Sequence, residues 1–120
     1  MGNGSSTVYQ RTFPFVEGKK TINMEEVIYI ETNRHKNIFH MKDESYSIYR
    51  KIGELQEELK GLGFMRTHQS FLVNMRYVQK ISSYVLTLTT GEELSVPKAR
   101  YQDVKQEYAA FVEEYKEAAE

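Results

Sequence analysis

The chain has 120 residues, of which 40% are hydrophobic and 28% charged, with a formal net charge of −1 and no cysteine. This length allows one domain with a modest core, and the lack of cysteine excludes a disulfide scaffold or a thiolate metal site. No apolar run approaches the ~20 residues of a membrane-spanning helix, and no secretory signal opens the chain. We therefore expect a cytoplasmic protein with no membrane partner.

The charge is unevenly distributed along the chain. Five glutamates stand against one lysine in residues 107–120. The remainder is therefore mildly basic, and a positive face is compatible with the negative total.

The pattern of apolar residues predicts strands, one helix, further strands and a terminal helix. Residues 1–8 are expected to be disordered because they are mostly small and polar, and residues 9–120 to form the domain. Clusters of β-branched and aromatic residues predict strands over residues 9–16, 21–23, 27–30, 38–41, 46–49, 77–81, 84–89 and 94–96. Helical spacing of apolar residues predicts an amphipathic helix over 52–59 and a C-terminal helix from about 99.

This order does not alternate strand and helix regularly, which argues against a doubly wound parallel sheet. The predicted fold is mainly β with α: antiparallel β-sheets with one packed amphipathic helix and a C-terminal helix. No internal repeat is visible.

The run 64–74 places several polar side chains directly before an apolar stretch. Arg66, Thr67, His68 and Gln69 can each hydrogen-bond to phosphate oxygens or base edges. Two glycines precede the run, so these side chains are predicted to lie on an exposed turn between helix and strand. By composition alone, a solvated loop with an incidental arginine and histidine is the simpler interpretation.

Two further basic clusters are candidates for contact with an anionic partner. They are Arg34, His35, Lys36 and Asn37 in a predicted loop, and Lys98 and Arg100 at the start of the terminal helix. Positive charge at a helix start is mildly unfavourable, so the second cluster favours a function that offsets this cost.

Catalytic and metal chemistry find no support in the sequence. The three histidines, His35, His40 and His68, lie on different predicted elements without metal-ligand spacing. Ser70 lies two residues after His68, but no glycine elbow surrounds it and no orienting acid is indicated. We therefore expect no enzyme activity, no metal and no cofactor.

The run 64–74 resembles the signature of the LytTR (LytR/AlgR-type) DNA-binding domain. The matching residues are Phe64, Arg66, His68, Ser70, Phe71, Val73 and Asn74. The early strand ending at Glu31, the helix over 52–59 and the closing segment 91–98 are also similar to that family.

The resemblance implies an elongated, mostly antiparallel β fold and sequence-specific promoter binding as the output half of a bacterial response regulator. In that family, loops enter successive major grooves of double-stranded DNA. The implied contacts here are Arg34, His35, Lys36, Asn37, Arg66, Thr67, His68, Gln69, Lys98 and Arg100, whereas Ser70 and Asn74 would hold the loop's shape. The resemblance also leaves room for a receiver domain outside this chain and for a homodimer on repeated half-sites.

A protein–protein interaction module of a signalling protein is the alternative. The chain has nine tyrosines and no tryptophan, and tyrosine is enriched at interfaces as well as in cores. The two functions differ in salt dependence, because phosphate binding weakens steeply with salt and an apolar helix interface does not.

Overall fold

Three antiparallel sheets and two longer helices form the fold in the computed structural model, which describes residues 6–119, with side chains for residues 8–115. The strands are β1 (Gln10–Phe15), β2 (Gly18–Asn23), β3 (Tyr29–Asn33), β4 (Lys36–His40), β5 (Ser45–Ile48), β6 (Phe64–His68), β7 (Phe71–Asn74), β8 (Val78–Ser82), β9 (Val85–Leu88) and β10 (Glu93–Ser95). The helices are α1 (Ser6–Tyr9), α2 (Ile52–Glu58) and α3 (Lys98–Ala119). The predicted β-rich antiparallel fold with two helices is confirmed.

The disorder expected for residues 1–8 falls largely outside the described residues. Ser6–Tyr9 forms a single helical turn. Among the described residues, no helix is long and apolar enough to cross a membrane.

A five-stranded sheet in the order β5-β4-β3-β7-β6 is the centre of the fold. A hairpin of β1 and β2 and a three-stranded sheet in the order β10-β9-β8 accompany it. The whole measures 42 × 38 × 25 Å.

Both faces of the central sheet are covered, because its strands send alternate side chains into two separate cores. Ile30 and Leu72 join a core with the β1–β2 hairpin and α2. Tyr29 and Val73, their sequence neighbours, join a second core with the three-stranded sheet and α3. Alternation in this sheet therefore separates one core from the other, and does not separate core from solvent.

Helix α3 packs its first half on the second core. Tyr101, Val104, Tyr108 and Phe111 lie at helical spacing and face that core. Farther along, the same apolar stripe leaves the body of the fold, and Tyr115 is 66% exposed.

A short repeated pattern joins the layers, although none was visible in the sequence. Asn23 and Asn74 each end a strand and cap one 3-10 turn, with the side-chain Oδ1 accepting the backbone N–H two residues on, at 2.9 and 3.0 Å. A buried methionine follows each asparagine, and a valine closes each turn. Asn74 also donates its amide to the carbonyl of Val27 at 2.9 Å, which links the two copies. Its bonds hold the turn after β7, and the predicted role in shaping the loop of residues 66–69 stays a prediction.

Two predicted loops are wrong in extent. The loop predicted over 33–37 contracts to a turn at Arg34 and His35, because Lys36 and Asn37 already pair with β3. The exposed turn predicted to carry residues 66–69 is reduced to Gln69 and Ser70, since residues 64–68 form β6. In both places the backbone pairing continues farther than the polar composition indicated.

Candidate nucleic-acid interface

Strand pairing brings the two predicted contact segments together at one end of the central sheet. β3 pairs with β4 on one side and with β7 on the other. Beyond the ladder, the Thr32 N–H donates to the Ser70 carbonyl at 2.9 Å. The β3–β4 turn and the β6–β7 turn therefore lie side by side, and we call this end of the sheet the basic edge.

The tips of the basic edge present polar side chains to solvent. Arg34 and His35 are exposed in the first turn, and Gln69 is exposed in the second. Arg34 has a φ of 62°, the left-handed conformation that tight hairpin turns require. Arg34 and His35 therefore project from a two-residue turn.

His68 is held by its neighbours beside the second tip. Its Nδ1 accepts the Ser70 N–H at 3.0 Å, and its ring packs against Phe71 with centroids 4.8 Å apart. Because Nδ1 is the acceptor, the neutral ring carries its proton on Nε2, which is then a hydrogen-bond donor.

The donor groups of Arg66 form hydrogen bonds within the protein. Its Nε donates to the His68 carbonyl at 3.0 Å and its Nη2 to the Gln69 carbonyl at 2.6 Å. Its Nη1 donates to Gln56 Oε1 on α2 at 2.8 Å. The guanidinium thus ties the β6–β7 turn to α2.

Arg66 makes no direct ion pair with a carboxylate in the described part of the chain. Burial, and then the nearby charge of Arg100, lower the pKa of Arg66 from its usual value. Arg66 and Arg100 line one cavity of about 240 Å³ between α2, β6 and α3, with Asp103 and Glu107 on its wall. No ion pair joins these two arginines to a carboxylate among the described residues.

Thr67 and Asn37, two of the predicted contact residues, are buried. Thr67 is 0% exposed, and its hydroxyl has no hydrogen-bond partner. Asn37 is 3% exposed; it accepts the Thr32 hydroxyl at 2.7 Å and donates to the Arg50 carbonyl at 2.5 Å. In this conformation neither side chain reaches the surface of the basic edge.

The remaining predicted residues flank the two tips. Lys36 is half-buried at the start of β4, and Lys98 is exposed at the start of α3. Arg100 reaches the Arg66 side of the edge. Of the start of α3, Arg100 thus lies beside β6 and Arg66.

Sequence reasoning missed the connection between β5 and α2. Tyr49, Arg50 and Lys51 lie here beside the β3–β4 turn, and Tyr49 is 68% exposed. The available signal was the adjacent pair of cations, Arg50 and Lys51, directly before the predicted helix over 52–59.

The opposite end of the central sheet carries charges of both signs. Glu25, Glu26, Asp43 and Glu44 lie where β3 begins and where β4 turns into β5, with Lys42 among them. Arg76 pairs with Glu25 at 3.7 Å, and Lys20 lines a cavity with Glu26 and Glu44.

Metal chemistry has no site in the part of the chain that the structure describes. No group of three histidine, aspartate or glutamate side chains there could hold a metal ion.

Comparison with known proteins identifies the family of this chain. The LytTr DNA-binding domain model matches residues 17–109, which is most of the chain. The chain therefore belongs to the LytTR family of DNA-binding domains, and the family predicted from residues 64–74 is confirmed.

Two curated proteins are similar to this chain in sequence. The chain is 23% identical over 103 residues to the sensory transduction protein LytT of Bacillus cereus, covering 82% of this chain and 42% of the relative. It is 27% identical over 90 residues to LytT of Bacillus subtilis, covering 70% and 37%. The chain thus spans about two fifths of the length of these curated relatives.

A solved structure shows the same fold. It is a LytTr DNA-binding domain from Bacillus cereus, which aligns with a TM-score of 0.70 at 20% identity over 84% of this chain and 96% of that one. The fold class is thereby confirmed from an independent structure.

Proposed function

We propose that this domain binds double-stranded DNA sequence-specifically, by inserting the two turns of the basic edge into the major groove. The observation that carries this proposal is the adjacency of those turns, fixed by the hydrogen bond from Thr32 to Ser70. Membership of a DNA-binding family supplies the class of partner.

The dimensions of the edge support this docking. Neighbouring strands lie about 4.8 Å apart, so the midpoints of the β3–β4 and β6–β7 hairpins are separated by roughly two spacings, about 10 Å. The major groove is about 12 Å wide. The midpoints of the two tips are therefore closer together than the major groove is wide.

We assign different roles to the ten predicted contact residues. Arg34, His35, His68 and Gln69 are placed to meet base edges, and Lys36, Lys98 and Arg100 to meet phosphates. Arg66 and Asn37 act from within, by holding the turns in shape, and Thr67 is buried in the fold without a part in contact. This division stays a prediction that substitutions can test.

The relatives support a proposal for the biological setting. LytT is a sensory transduction protein more than twice as long as the matched segment. We propose that this domain is the output part of a cytoplasmic bacterial response regulator that controls transcription. It would act with a receiver domain outside this chain, and as a homodimer on repeated promoter half-sites.

Selection of bound sequences from a random DNA pool, followed by titration of the selected duplex at several salt concentrations, tests the proposal. We expect an enriched motif, and a log K that falls linearly with log salt concentration. Two similar motifs one or two helical turns apart would support two protomers side by side.

The opposite result would be no enriched motif and no salt dependence of any retained DNA. It would refute DNA recognition by the basic edge. A protein-interaction role, based on the exposed Val112 and Tyr115 of α3, would then be the better explanation.

A further inference from the structure

A groove adjoins the basic edge on the side of β5, outside the predicted contact residues. It is about 360 Å³ in volume and is lined by the β3–β4 turn, the end of β5 and the first residues of α2. Arg34, His35, Arg50 and Lys51 supply its basic side chains, and no carboxylate lines it. Its chemistry therefore suits an anion.

The two cations of the β5–α2 connection are in different states. Arg50 is paired through Nη2 with Glu58 at 2.7 Å and through Nε with Glu54 at 3.6 Å. Lys51 makes no ion pair within the described residues, and it is exposed. Glu54 and Glu58 thus pair with Arg50, whereas Lys51 lines the groove with Arg34.

The position of Lys51 is fixed by a buried amide. Asn37 donates to the Arg50 carbonyl at 2.5 Å and accepts the Thr32 hydroxyl at 2.7 Å. These bonds fasten the β5–α2 connection to the hairpin that carries Arg34. The backbone that carries Tyr49 and Lys51 is therefore attached to the base of the β3–β4 hairpin.

We propose that this groove binds a phosphate of the DNA backbone flanking the major groove, with the Lys51 ammonium and the Tyr49 hydroxyl as donors. The inference rests on the proposed function and extends it to a residue pair outside the two turns. It makes the contact two-sided, with Lys51 beyond one tip, and Lys98 and Arg100 beyond the other.

Strand spacing explains why this groove of the protein would meet the DNA backbone and not the bases. The midpoints of the two tips are about 10 Å apart, and the DNA major groove is about 12 Å wide. The end of β5 lies another one to two strand spacings outward, roughly 5–10 Å. A side chain there falls beyond the groove wall, where the phosphates lie.

The test compares Lys51→Gln with Lys60→Gln on the selected duplex and on a mixed-sequence duplex, each titrated over a range of salt. Lys60 is an exposed lysine just beyond the other end of α2, so its replacement removes the same charge from the chain. We expect Lys51→Gln to weaken both duplexes by a similar factor and to reduce the slope of log K against log salt by about 0.9. Lys60→Gln should leave the slope unchanged.

Tyr49→Phe is the second variant, because it removes one hydroxyl and no charge. A uniform loss of affinity with an unchanged salt slope would support the neutral donor. This inference would be overturned if the wild type binds normally and both Lys51→Gln and Tyr49→Phe keep the wild-type affinity and slope. The proposed function would then still stand. Failure of the wild type to bind either duplex would overturn both.

Discussion

Arg66 offers the sharpest separation between a side chain that touches DNA and one that shapes the contact surface. Its three nitrogens donate to the carbonyls of His68 and Gln69 and to Gln56. Replacing Arg66 by Lys keeps the positive charge and removes the planar fork. One ammonium cannot reach two carbonyls of the turn and a side chain of α2 together.

The cost follows from those three hydrogen bonds. A hydrogen bond from a charged donor contributes about 1.5–3 kcal/mol, and lysine would lose at least two of them. Arg66 is half-buried, and water can replace part of the loss, so we expect Arg66→Lys to lower the free energy of unfolding by about 2–3 kcal/mol. Re-ordering one residue of the released turn on DNA would cost about 1–2 kcal/mol, or roughly a tenfold loss of affinity.

Urea denaturation and fluorescence-anisotropy titration measure the two effects. Arg66→Lys and Arg66→Ala should both lose affinity, and both should keep the wild-type salt slope. Arg34→Lys is the matched control, because Arg34 is exposed at a turn and has no internal hydrogen bond in the described structure; its stability should not change. Had Arg66 been a phosphate contact, Arg66→Lys would bind nearly as the wild type, and Arg66→Ala would flatten the slope by about 0.9; that pair of results would refute the positioning role.

Three further substitutions test other parts of the structure. Thr67→Val removes a buried hydroxyl without a partner, so urea denaturation should show about 1 kcal/mol of added stability, and a loss of DNA affinity would contradict its internal role. Asn74→Asp keeps the acceptor for the backbone of the 3-10 turn but loses the amide donor to Val27, so stability should fall by about 3 kcal/mol or more, and a wild-type melting temperature would refute this. The Ser47 N–H lowers the pKa of Glu17. The carboxylate therefore stabilises the fold above its unfolded pKa, and this contribution is lost as pH falls through the lowered folded value; Glu17→Gln should flatten that part of the acid limb, and an identical pH profile would exclude the contribution.

Local sequence preference predicted the element types well. The β-branched and aromatic runs became strands, and the helical spacing of Ile52, Leu55 and Leu59 became α2. The predicted ends of the strands were wrong where polar residues continue a strand. Asn37 is an example: its composition indicates a loop, but Thr32 and the Arg50 carbonyl satisfy its polar atoms, so the ladder continues through it.

The roles of the polar residues could not be predicted from the sequence, because they depend on partners distant along the chain. Arg66 donates a hydrogen bond to Gln56, ten residues earlier, and Lys51 lines a groove together with Arg34. No local pattern records either relation. The family resemblance identified the partner class, but it could not divide the ten residues between contact and support.

The covered faces of the central sheet explain where contact with DNA is available. Met65 faces the second core, and the other face is covered by the β1–β2 hairpin and α2. Thr67 is buried where the register between β6 and β7 shifts. Polar side chains along β6 must therefore be buried, or bonded internally as Arg66 is. Contact with a duplex is left to strand ends and connections, and for this reason we expect affinity to respond to Gln69, Arg34 and Lys51 more directly than to the residues inside the strands.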